Sequence, residues 1–186
     1  SGYVSEDMEK VFGQKPLAQA GKRYEKTVLF ASLDVSFDKL SSREDIDMTK
    51  VNSIKGKREC YTFILSQDGK TLYIIGSDKR GTIYGLFHLS ELMGVSAQVD
   101  WLMVNPLKKE EIIIDDSQLI TSKEPSVRYR GFFINDERFG GWARWSENTF
   151  ETETHMVGPK TYRKVFELLL PLKANYLWPA MHPGTQ

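Results

Sequence analysis

The sequence predicts an α/β protein: a small N-terminal α/β accessory domain over residues 1–120, then over 121–186 the first βαβ unit of a (β/α)8 barrel, truncated after two strands. Three observations predict it. The β-rich runs Cys60–Leu65 and Thr71–Ile75 flank Asp68-Gly69, the strongest short hairpin signal available. Behind them Gly76–Gly94 has helical spacing, so strands and helices alternate. Lastly, Val127–Glu137 is apolar until it turns polar at Asn135-Asp136-Glu137, Pro159–Lys173 is helically spaced, and Tyr176–Ala180 opens another apolar run. A strand whose C-terminal end releases polar residues into a loop is how (β/α) barrels build active sites. Six further strands would be needed to close one, so the chain reads as the beginning of a larger enzyme.

Taken in order, residues 1–25 carry weak signals and read as a loop or short helix. Thr27–Leu33 reads as a buried strand, and Asp38–Ile54 as polar, mixed and helical in part. In the following helix Ile83, Leu86, Phe87, Leu89, Leu92 and Met93 broadly share a face. Ser77 or Asp78 suits its N-cap, and Gly94 suits a left-handed end. Glu110–Ile114 reads as a further strand, Asp115–Pro125 as a polar linker, and Val127 as the opening of the second domain. There, Tyr162, Val165, Phe166, Leu169 and Leu170 form one core-facing stripe behind Pro159, whose missing N–H is not needed in a first turn.

Composition excludes several functions. Lys+Arg and Asp+Glu both total 25, so no charge excess is available to hold nucleic acid or a membrane surface. No run approaches the length of a membrane span. No n-region and h-region open the chain, so any export signal is absent from it or already removed. The single cysteine excludes an internal disulfide and a cysteine-based zinc site, and the apolar run around Cys60 favours an inert core thiol. Glycines 76, 81 and 85 match neither a dinucleotide fingerprint nor a phosphate loop; they read as turn and close-packing residues, and no cofactor is expected.

Asn135-Asp136-Glu137 is the main candidate site. In an extended strand Asn135 and Glu137 share a face and Asp136 takes the other. Spacing alone does not choose between a pocket and a solvated strand-to-loop transition. Arg128 and Arg130 could hold a carboxylate, but they stand at the wrong end of the strand, which favours structural ion pairing. The segment 138–158 reads as a long loop, with Trp142, Trp145 and Phe150 as flat faces for a sugar ring. Its Glu151-x-Glu153-x-His155 has no diagnostic metal spacing, and a solvated acidic loop is favoured. Trp178 suits either core or pocket, and His182 could face an anion.

Tyr129-Arg-Gly-Phe-Phe-Ile-Asn-Asp-Glu137, with Tyr162–Met181, closely resembles glycoside hydrolase family 115. Gly76–Gly85 and Leu89–Ser96 resemble the N-terminal α/β domain of that family. The resemblance implies a (β/α)8 glycosidase, a xylan α-1,2-glucuronidase, that removes glucuronate or 4-O-methylglucuronate from glucuronoxylan or branched xylo-oligosaccharides with inversion. It implies a catalytic acid and base beyond Gln186. No metal is expected from the spacing, and the isolated chain is expected to be inactive because two barrel strands cannot enclose a sugar or place both carboxyls. Asn135, Asp136, Glu137 and Trp178 then become substrate-binding residues. A periplasmic or extracellular location is favoured, and a homodimer of the full-length parent is allowed. The alternatives are a related glycosidase of different sugar specificity, or a non-catalytic carbohydrate-binding or scaffold protein.

Overall fold

The computed structural model describes residues 2–17, 24–134, 141–154 and 156–179. They divide into two compact units, Ser1–Ser126 and Val127–Gln186. No described helix is long and apolar enough to cross a membrane.

The first unit is built on three strands, β1 (Thr27–Ser32), β2 (Tyr61–Leu65) and β3 (Thr71–Gly76), in the order β1-β3-β2. The hairpin forms as its Asp-Gly predicts: β2 runs antiparallel to β3, Gly69 turns at φ 67°, and Asp68 accepts from Ser66 Oγ and the Lys70 N–H. β1 lies parallel to β3 with Thr27 opposite Thr71. Its reading as a buried strand is corrected. β1 is an edge strand with Val28 and Phe30 exposed, because no described strand pairs its outer side.

Helices cover both faces of this sheet, which is why β2 and β3 read as nearly continuous apolar runs. Tyr61, Phe63, Leu72 and Ile74 pack with α1 (Gly2–Phe12) and α4 (Lys79–Met93). Cys60, Ile64, Tyr73 and Ile75 pack with α2 (Leu33–Ser41) and α3 (Met48–Ile54). Cys60 is fully buried, and burial pushes its thiol pKa up, as an inert core thiol requires.

One carboxylate sets where α4 begins. Asp78 Oδ1 accepts the Gly81 N–H at 2.7 Å, and Oδ2 accepts the Glu59 N–H at 2.8 Å. The second bond accompanies Glu59 at φ 57°, a left-handed conformation that non-glycine residues rarely adopt. A Cβ on Gly81 would stand 2.0 Å from the Cys60 carbonyl oxygen, and one on Gly76 would stand 2.1 Å from the Thr82 nitrogen. These glycines are close-packing residues, as the sequence suggests, and Gly94 closes the helix at φ 94°.

The strand expected at Glu110–Ile114 is absent. The outer edge of β2 is already taken by residues 120–122: Phe63 N donates to Ile120 O, and Ser122 N to Tyr61 O. Ile112 and Ile114 still pack against the core while Ile113 is exposed, so the alternation survives without a ladder.

The second unit pairs β4 (Gly131–Ile134) with β5 (Tyr176–Pro179) in parallel. The connection runs through α5 (Gly141–Phe150) and α6 (Pro159–Leu169). Pro159 takes the first helical turn as expected, and Val165 and Leu169 are buried. Phe166 leaves the predicted stripe and is exposed, stacked near Tyr162 at 6.5 Å between ring centres.

Two outcomes follow from this packing. Helix propensity alone would make Gly81→Ala stabilising by about 1 kcal/mol. The contact with Cys60 O reverses the sign, and urea unfolding is expected to show a loss of about 3 kcal/mol or more. The second concerns Asp45, which receives Arg43 Nε at 2.9 Å, Arg43 Nη2 at 2.8 Å and the Tyr73 hydroxyl at 2.6 Å. Arg43 foremost, with Tyr73, holds its pKa down to about 2, while burial foremost pushes Tyr73 up to about 12. A carboxylate depressed below its unfolded value of about 4 adds stability above that pH, and the gain is lost as pH falls toward 2. Asp45→Asn is therefore expected to melt lower than wild type at pH 7, with the gap closing between about pH 4 and pH 2.

Candidate functional site

The candidate site starts from a junction that tolerates no side chain. A Cβ on Gly131 would stand 1.7 Å from the Tyr176 carbonyl oxygen, so β4 and β5 meet here backbone to backbone. Below it, Arg130 and Asn175 latch the strand entrances together. Arg130 O accepts the Asn175 and Tyr176 N–H groups at 2.7 and 3.0 Å, and Asn175 Oδ1 accepts the Arg130 N–H at 2.9 Å. The Arg130 guanidinium donates to the Lys173 and Val127 carbonyls at 3.0 and 2.8 Å. Its role is structural, as its position on the strand suggests. Arg128 lies over the ring of Tyr129.

From this latch the strands rise in register, Phe133 opposite Trp178 and Ile134 opposite Pro179. Strand alternation sorts the side chains. Ile134 is buried and Phe132 and Leu177 are partly so, whereas Phe133 is 55% and Trp178 60% exposed. The two exposed rings meet edge to face at 5.6 Å, and Tyr129 and Tyr176 meet lower down at 6.3 Å. Aromatic rings are the kind of face on which the C–H side of a sugar ring packs. Of the four predicted binding residues, Trp178 is thus exposed at the C-terminal end of a parallel pair. Asn135, Asp136 and Glu137 lie outside the described residues, as do His155 and His182.

The segment read as a long loop over 138–158 contains α5, which sets aside the reading of its aromatics as free loop faces. Trp142 and Trp145 are partly buried, Ala143 and Ser146 face inward, and Trp145 meets Phe150 edge to face at 5.4 Å. The spacing of Trp142, Trp145 and Ser146 carried that helical signal.

The acidic motif is likewise put to other uses. Glu151 is 3% exposed and its Oε1 accepts the Thr161 N–H at 2.8 Å, which caps α6 from outside its first turn. Gly158 makes room, since a Cβ there would come within 3.2 Å of that oxygen. Glu153 pairs with Lys160 at 3.4 Å on the surface. No cluster of metal-binding side chains stands among the described residues. Sequence reasoning missed the Glu151 cap because no short-range spacing rule links a carboxylate to a helix start so far downstream.

The chain was compared with known proteins. The family described as Glycosyl hydrolase family 115 matches residues 122–186. No curated protein gives a significant match. Among solved structures, the chain is similar to a family GH115 4-O-methyl-α-glucuronidase, BtGH115A, described as having specificity for decorated arabinogalactans. Identity is 33% and the TM-score 0.79; the match covers 100% of this chain and 23% of that one. The chain therefore spans under a quarter of that protein's length.

Glu151 yields a graded test. Glu151→Ala removes both the acceptor and the charge, and is expected to cost about 1–2 kcal/mol in urea unfolding, with faster hydrogen exchange at the Thr161 amide. Glu151→Gln keeps an acceptor and should lose less.

Proposed function

Residues 122–186 belong to Glycosyl hydrolase family 115, and on that premise we propose that this chain is the N-terminal part of a glycoside hydrolase. The reaction is removal of α-1,2-linked glucuronate or 4-O-methylglucuronate from glucuronoxylan, with inversion. The observation that carries the reading is the parallel β4–β5 pair, with Phe133 and Trp178 exposed near the strand ends within the family match. In this reading β4 and β5 are the first two strands of a (β/α)8 barrel. Asn135 and Glu137 stand two and four positions after Phe133 in the sequence. We assign them, with Asp136 and Trp178, to substrate binding.

The chemistry explains why this chain would need the rest of an enzyme. Inversion requires a protonated carboxyl to release the leaving oxygen and a carboxylate to activate water on the opposite face, about 6.5–9.5 Å away. In our reading both groups lie beyond Gln186, and the chain contributes the aromatic wall and the Asn-Asp-Glu strand end. A second backbone polymer is favoured by the similar structure, whose stated specificity is for decorated arabinogalactans. The sugar removed is then the same, and the scaffold that carries it differs.

The full-length protein containing this chain is expected to release (4-O-methyl)glucuronic acid from glucuronoxylan, with the inverted anomer seen first by proton NMR. Release from decorated arabinogalactan alone would support the second reading, and release from neither would overturn both. In the full-length protein Trp178→Ala should lower kcat/KM roughly tenfold. Hydrolysis by residues 1–186 alone would contradict the placement of the acid and base.

A further inference from the structure

We propose that the first unit carries a binding site for a hydroxylated monocarboxylate of the uronic acid class. It lies in a cavity of about 470 Å³ at the carboxyl ends of β1 and β3. The choice of a sugar acid rests on the function proposed above; the site itself rests on the geometry that follows.

The location follows from topology. β1 runs into α2, which packs on one face of the sheet, and β3 runs into α4, which packs on the other. Adjacent parallel strands that send their helices to opposite faces leave a crevice between them, and open α/β sheets place ligands there. The cavity is of small-ligand size. Its walls are Leu33, Asp34 and Phe37 from the start of α2, and Lys55, Lys57 and Arg58 from the segment before β2.

The lining selects the chemistry. Lys55 holds its ammonium 3.5 Å from the centre of the Phe37 ring, which positions a cation at the wall. No ion pair among the described residues joins Lys55 or Lys57 to a carboxylate. The Arg58 guanidinium is held by its Nη2 bond to Pro125 O at 2.9 Å. Asp78 also borders the cavity, but both its oxygens already accept backbone N–H groups, from Gly81 and Glu59. Among the lining side chains that leaves one exposed carboxylate, Asp34; Glu124, outside the lining, accepts the Arg58 N–H at 3.2 Å. Asp34 can accept from sugar hydroxyls and repels a dianion, while Leu33 and Phe37 offer apolar surface to C–H groups. A carboxylate, several hydroxyls and a C–H face together describe a uronic acid better than a phosphate.

The test is titration of the purified chain with glucuronic acid, glucose and inorganic phosphate, followed by amide NMR. Glucuronic acid is expected to shift the amides of Phe37, Lys57 and Arg58, with phosphate weaker and glucose without effect. The double variant Lys55→Gln, Lys57→Gln, at two exposed positions, should weaken glucuronic acid binding roughly tenfold or more. Asp34→Asn should narrow the preference for glucuronic acid over phosphate. The site is overturned if glucuronic acid leaves those amides unmoved, if the double variant binds as wild type does, or if phosphate binds as tightly. Sugar release from glucuronoxylan is read on the full-length protein, so failure there leaves this titration standing, and the reverse holds.

Discussion

The first unit depends on how closely α4 approaches the sheet. A helix seated with glycine backbone against the Cys60 carbonyl leaves no room for error in where it begins. Asp78 supplies that accuracy by binding the helix start and the backbone before β2 with the two oxygens of one carboxylate. Its position also determines what surrounds it. Glu59 is held left-handed, Ser77 Oγ accepts the Cys60 N–H, and the crevice beside β3 keeps its shape. Buried polar groups are tolerated here because they are satisfied as a set.

Features that the sequence encodes locally were legible. Asp68-Gly69 announces its hairpin, Asp78 and Gly94 mark the ends of α4, and Pro159 marks the start of α6. Each is a short-range rule in which one residue type satisfies one backbone requirement. The misreadings share a different cause. Whether Thr27–Ser32 is central or at an edge, and whether 110–114 finds a partner, depends on which segment reaches a sheet edge first. That competition is long-range, and residues 120–122 win it beside β2 through bonds that no periodicity reveals.

The candidate site was legible in outline for the same reason. Apolar alternation located the strand ends, and Phe133 and Trp178 stand side by side there as an aromatic pair. The structural uses of Arg130 and Glu151 were partly hidden, since the Lys173 carbonyl and the Thr161 amide they bind lie well along the chain. A charged residue read from sequence invites a charged partner, yet folded chains often spend such side chains on carbonyls and amides.

The Gly131–Tyr176 junction has a consequence for how the second unit comes into being. The latch beneath it joins residues 45 apart in sequence, so every bond of the β4–β5 ladder closes a long loop at once. The entropy of that closure must be met before the ladder returns anything. Only the two intervening helices can shorten the search, and Glu151 stabilises the second of them from within the loop itself. The capping carboxylate therefore bears on the speed of assembly as well as on the endpoint, and nascent chains lacking it would leave an aromatic strand unpaired for longer.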